Sequence, residues 1–118
     1  MTGLTLTTRP IEHGVVLQLS GELDHHTAPR VLETLKRITL TAGQQLVVDL
    51  SRLSFCDSSG IASLVAARNH ALAADATIAL AALPAWLTRV FRMVGLDKVL
   101  VTYPTTQAAA AAWSRRLR

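Results

Sequence analysis

The sequence predicts a single α/β domain built on a mixed sheet of four to five strands with about four helices. Three observations carry that expectation. Two apolar stretches near the amino terminus are separated by a short glycine-containing turn, which implies a hairpin and an antiparallel pair. Beyond it, strand-like and helix-like stretches alternate, which calls for parallel crossovers. The chain has 118 residues, 50% of them hydrophobic, enough for one core without disulfides or metals. The predicted order is β-β-α-β-α-β-α-β-α, with no internal repeat, linker or second domain over residues 1–118.

"LTLTTR" (4–9) alternates apolar and polar residues and reads as a strand. "HGV" (13–15) supplies the turn, and "VVLQLSG" (15–21) the second strand, closed by Gly21. "GELDHHTAP" then reads as a polar loop in which Thr27 can cap a helix with Pro29 in its first turn. Val31, Leu32, Leu35, Ile38 and Leu40 would face inward from that helix, with Glu33, Lys36 and Arg37 outward. "GQQLVVDLS" (43–51) is a buried strand opened by Gly43. A second helix begins at Ser58–Ser59 and runs to about residue 74, with Ile61, Leu64, Val65, Ala67 and Leu72 as its apolar face. "ATIALAAL" (76–83) is the fourth strand.

"LPAWLTRVFRMVG" (83–95) places Pro84 at a helix start and Gly95 just past its end, with Leu87, Val90, Phe91 and Val94 along one face. Trp86 with Arg89, Phe91 and Arg92 would leave a partly exposed patch, a weak secondary interface. "KVLVTY" (98–103) is a short last strand, and the alanine-rich "PTTQAAAAAWSRRLR" a last helix docked by Trp113.

Composition removes several function classes. No apolar run reaches the ~18 residues that span a bilayer. The first residues carry neither a basic nor a continuous apolar signal region, so neither a signal peptide nor membrane association is expected. Cys56 is the one cysteine; it forbids an internal disulfide and points to a cytoplasmic location. A lone cysteine of this kind reads as a small packing residue. The net charge is +4, but Arg115, Arg116 and Arg118 crowd the last four residues, and without them it is +1. Aromatics are 4% and the other basic residues are scattered, so direct nucleic-acid binding is not expected.

The chemistry concentrates in Asp57-Ser58-Ser59-Gly60, where a buried strand hands over to a helix. One reading is capping: Asp and Ser oxygens accept from the unpaired N–H groups of a first helical turn. The other uses the same place differently. A helix start favours negative charge, so a phosphate on a serine there is tolerated by the fold. It would also set nearly two negative charges beside Asp57 and, if the loops meet, beside Asp24.

"GELDHHTA" (21–28) followed by "VVDLSRLSFCDSSGIASLVAAR" (47–68) resembles the anti-sigma factor antagonists of the STAS domain class. "PAWLTRVFRMVGLDKV" (84–99) resembles the third helix of that family and its exit to the last strand. The resemblance implies one STAS domain over residues 1–118 and a phosphorylation site at Ser58. It implies a partner-binding surface that includes Asp24, His25, Thr27, Asp57, Ser59 and Gly60. The implied partners are an anti-sigma factor serine kinase, bound by the unphosphorylated form so that a sigma factor is released, and a resetting phosphatase. ATP and magnesium would belong to that kinase; the domain itself would hold no cofactor and would not be an enzyme. Cys56 stands where many relatives carry a plain apolar residue.

Other constellations are weaker. His25 and His26 with Asp24 and His70 do not complete a metal-ligand pattern. A Ser–His–Asp hydrolase would need a Gly-x-Ser-x-Gly elbow, which is missing. A receiver phosphorylated on Asp57 would need an acidic pair after its first strand. The remaining alternative is a constitutive STAS accessory subunit of a bacterial membrane transport complex, such as a lipid-transport ATPase.

Overall fold

A computed structural model describes residues 3–115. The basic tail therefore falls mostly outside the described residues: Arg116 and Arg118 lie beyond them, while Arg115 ends the last helix. Strands β1 (Leu4–Ile11) and β2 (Gly14–Leu23) form the expected hairpin around Glu12 and His13. Then follow α1 (Ala28–Arg37), β3 (Gln45–Cys56), α2 (Ser58–Ala73), β4 (Thr77–Ala81) and α3 (Ala85–Val94). A 3-10 turn (Leu96–Lys98), β5 (Thr102–Tyr103) and α4 (Thr106–Arg115) complete the chain. The five strands lie in sequence order, β1 antiparallel to β2 and the rest parallel.

Strand alternation divides the apolar residues between two faces. Leu17, Leu19, Leu46, Val48, Leu50 and Leu80 meet Val31 and Leu35 of α1, Leu64, Ala67 and Ala71 of α2, and Leu87 and Phe91 of α3. Val16, Val47, Ala79 and Ala81 look the other way and meet Ala109 of α4. Trp113 docks α4 as expected, at 8% exposure. Gln45, buried beneath that helix, donates Nε2–H to the Ala109 carbonyl at 3.1 Å.

Several expected boundaries and faces move. Gly21 does not close β2: its left-handed backbone (φ 109) makes an irregular step, and pairing with β3 resumes through Glu22 and Leu23. The polar loop thus shrinks to Asp24–Thr27. β3 starts at Gln45 rather than Gly43 and runs to Cys56, since residues 52–56 pair with β2 alone beyond the reach of β4. β5 keeps only Thr102 and Tyr103, because residues 96–98 wind into the 3-10 turn instead of extending. Leu32 and Leu72, expected inside, are 40% and 48% exposed. α2 buries Leu64 and Ala67 as expected, but together with Gly60, Ser63 and Ala71, small residues that let the helix approach the sheet closely; Ile61 and Val65 are half-buried at its sides. Val94, also expected inside, is exposed at the end of α3, while Phe91 is fully buried and so leaves the secondary patch predicted for it.

Candidate functional site

The site lies at the carboxyl ends of β2 and β3, where the turn before α1 meets the start of α2. Asp57 caps α2. Its backbone is extended (φ −96, ψ −172), and its Oδ1 accepts from Gly60 N–H at 3.0 Å. Its Oδ2 accepts from His25 N–H at 3.2 Å, and its own N–H donates to the Leu23 carbonyl at 3.2 Å. One carboxylate thus ties the two loops together, which places Asp24 and His25 beside the start of α2 as one surface.

The serines do not cap. Ser58 and Ser59 are the first two residues of α2 itself; Ser58 is exposed and Ser59 half-buried. With the cap supplied by Asp57, the Ser58 hydroxyl is left outside the helix, on the turn where the N–H groups of a helix point outward.

Asp24 organises the facing turn. Its Oδ1 accepts from His26 N–H at 2.9 Å and Thr27 N–H at 3.0 Å. The Thr27 N–H bond is the main cause that holds the Asp24 carboxyl below its usual value, against an opposing effect of burial and with further help from His26 N–H. Thr27 precedes α1 as expected, but its hydroxyl does not cap the helix. It turns back, accepting from Asp24 N–H at 2.9 Å and donating to the Glu22 carbonyl at 2.8 Å. Pro29, within the first turn, has no N–H to satisfy, which reduces the need for a cap there. His25 and His26 are exposed, their ring centroids 4.6 Å apart.

Gly60 fixes how close α2 comes. A Cβ there would stand 2.6 Å from the Leu23 carbonyl oxygen and 2.8 Å from Cys56 Sγ, so only glycine fits without backbone movement. Cys56 is half-buried against this seat; burial, with the nearby Asp57 carboxylate, pushes its thiol up to about 12. Ser63, one turn on, is buried and donates to the Gly60 carbonyl at 2.6 Å. Leu23 and Ser63 were not anticipated as part of this arrangement. Leu23 falls in the stretch expected to be a loop but ends β2, and a serine one turn into a helix carries no sequence signal of its own. Phe55 was also missed: it stands 45% exposed three residues before Ser58.

Among the described residues no cluster of three or more His, Cys, Asp or Glu side chains is placed to hold a metal ion, and no helix is long and apolar enough to cross a membrane. The arrangement is a rigid, glycine-seated helix start that presents one hydroxyl to solvent beside two carboxylates already engaged with backbone.

Fold and site define an α/β domain of the STAS type. The chain belongs to that family: residues 7–102 match the family model described as "Mlab, STAS domain". It is 29% identical over 97 residues to a protein named anti-sigma-B factor antagonist from Listeria monocytogenes, covering 82% of this chain and 84% of the relative. It is similar to the crystal structure of an anti-sigma factor antagonist from Mycobacterium paratuberculosis, with a TM-score of 0.78, 26% identity and 95% of each chain covered. It also shares its fold with the antagonist SpoIIAA in its unphosphorylated form, with a TM-score of 0.72, 22% identity, and 92% of this chain and 96% of that chain covered.

Proposed function

We infer that the protein is an anti-sigma factor antagonist that binds an anti-sigma factor serine kinase and is switched off by phosphorylation of Ser58. The observation that carries this reading is the division of labour at α2: Asp57 caps the helix, so the exposed Ser58 hydroxyl has no capping duty. The names of the Listeria and Mycobacterium relatives support the antagonist role.

The unphosphorylated face, made by Asp24, His25, Thr27, Asp57, Ser58 and Ser59, docks on the kinase and the sigma factor is released; Gly60, expected on that face, is buried beneath it and shapes it from below. A phosphate on Ser58 gains from the helix start, so the fold survives. Its charge of nearly −2 falls next to Asp57 and repels an acidic partner surface or blocks a close-packed one. The protein acts by binding; ATP and magnesium stay with the kinase, and a phosphatase restores the docking form in the cytoplasm.

The test is intact mass and peptide mapping after incubation with ATP, magnesium and an anti-sigma factor serine kinase. One phosphate on Ser58, absent from Ser58→Ala, is expected. No phosphate with several such kinases, together with stable retention by a transport ATPase, would favour a second reading, a constitutive subunit of a membrane transport complex. That reading draws on the matching family model, whose description is Mlab rather than a sigma-factor regulator.

A further inference from the structure

Four of the seven large apolar side chains that stand exposed among the described residues fall between residues 93 and 101: Met93, Val94, Val99 and Val101. Met93 is the most open, at 84%. The inward face of α3 is taken by Leu87 and Phe91. Arg89, Arg92 and Met93, spaced i, i+3 and i+4, share another face, and all three are exposed. Gly95 then ends α3 in the left-handed conformation (φ 77). The turn it starts folds back on itself, with Lys98 N–H on the Gly95 carbonyl at 3.3 Å and Val99 N–H on the Leu96 carbonyl at 3.0 Å. Exposed Lys98 and Val99 are thereby held at the end of the helix. The end of α3 and the turn after it thus carry exposed apolar Met93, Val94 and Val99 together with three exposed cations, Arg89, Arg92 and Lys98, none of which makes an ion pair among the described residues.

This patch is remote from Ser58. α2 and α3 both start past the carboxyl ends of parallel strands, β3 and β4. Ser58 therefore sits at one end of the sheet, whereas Gly95 returns the chain to the other end, from which β5 sets out parallel to β4.

We propose that the end of α3 and the following 3-10 turn form a second docking surface, for an acidic amphipathic segment of a partner protein. Charge sets the occupant. Three cations without an ion pair among the described residues, interspersed with exposed apolar side chains, match a segment that carries carboxylates beside its apolar residues. A second copy meeting this same face would oppose like charges. An anionic bilayer would press its charge on exposed Asp97, in the middle of the turn, whereas a peptide can place its carboxylates only against the three cations. Methionine adapts to varied apolar surfaces, and arginine is enriched among residues that dominate binding.

The test uses the full chain, labelled with nitrogen-15, and a synthetic 16-residue helical peptide with leucines on one face and glutamates flanking them. The controls are the same peptide with lysine for glutamate, and phosphatidylglycerol vesicles. Saturable amide shifts confined to residues 89–99 are expected with the acidic peptide only. Arg92→Glu and Met93→Asp should each weaken the affinity at least tenfold and leave the rest of the spectrum in place, while Ser58→Ala should not change it. No shifts with the acidic peptide, shifts centred elsewhere, or equal binding of the lysine peptide would overturn the proposal. Vesicle binding abolished by the same two variants, without peptide binding, would overturn it in favour of a lipid surface. Because Ser58→Ala is neutral here, failure of this proposal and failure of the Ser58 switch are read separately.

Discussion

Asp57 does three jobs with one side chain and its own backbone: it caps Gly60 N–H, holds His25 N–H and anchors itself to the Leu23 carbonyl. Asp57→Ala should therefore cost about 1–2 kcal/mol, a lost cap with part of a loop contact. In thermal unfolding that is a fall of roughly 4 °C per kcal/mol for a chain of this length. Asp57→Asn keeps an acceptor for the cap and should recover most of the loss. The neighbouring Cys56 offers an independent check on the same corner. With its thiol pushed up to about 12, almost none is thiolate at pH 8, so an Ellman-type reagent should react with the native chain far more slowly than with the denatured one. Fast native labelling would mean that the corner opens. At this scale the sequence revealed residue types better than roles. "DSSG" announced a helix start and a candidate phosphoacceptor, but Asp and Ser are both good caps, and nothing in their order says which one caps. Thr27 likewise has the chemistry of a cap, yet Asp24 and the Glu22 carbonyl take its hydroxyl.

The element that matters most is α2, and its seat on the end of β2 is set by the small residues it buries. Gly60→Ala tests that seat. Alanine gains up to about 1 kcal/mol in helix propensity. The added Cβ, however, would stand 2.6 Å from a backbone oxygen that no rotamer can move. Overpacking of this kind costs about 1–3 kcal/mol, so net destabilisation is expected, with changed amide shifts for Leu23, His25 and Ser58. A stabilised variant would show that α2 is free to shift. The order of elements was legible because turn glycines, prolines and alternating apolar patterns punctuate the whole chain. The inward face of α2 was legible only at Leu64 and Ala67. A helix rich in alanine has apolar residues all round, and beside Leu64 the sheet takes Gly60, Ser63, Ala67 and Ala71, not the leucine at 72. Residues 52–56 of β3 hid for a related reason: they pair on one side only, so their exposed polar residues read as a loop.

Across the whole molecule, the sheet works as a rigid mount. One face is covered by α1, α2 and α3 around a large core, and the other in part by α4 through Ala109 and Trp113. Ser58 lies outside both cores, so phosphorylation should change what the molecule binds while leaving its melting temperature within about 2 °C, the scale of a surface change of ±0.5 kcal/mol. The most direct measurement is the affinity of the unmodified and the Ser58-phosphorylated full chains for an anti-sigma factor kinase, titrated side by side with Ser58→Ala and Ser58→Asp. The account predicts tight binding by the unmodified and alanine forms. It predicts binding at least tenfold weaker by the phosphorylated form, about 1.4 kcal/mol or more, with the aspartate form in between. Equal affinity of the unmodified and phosphorylated chains would contradict it.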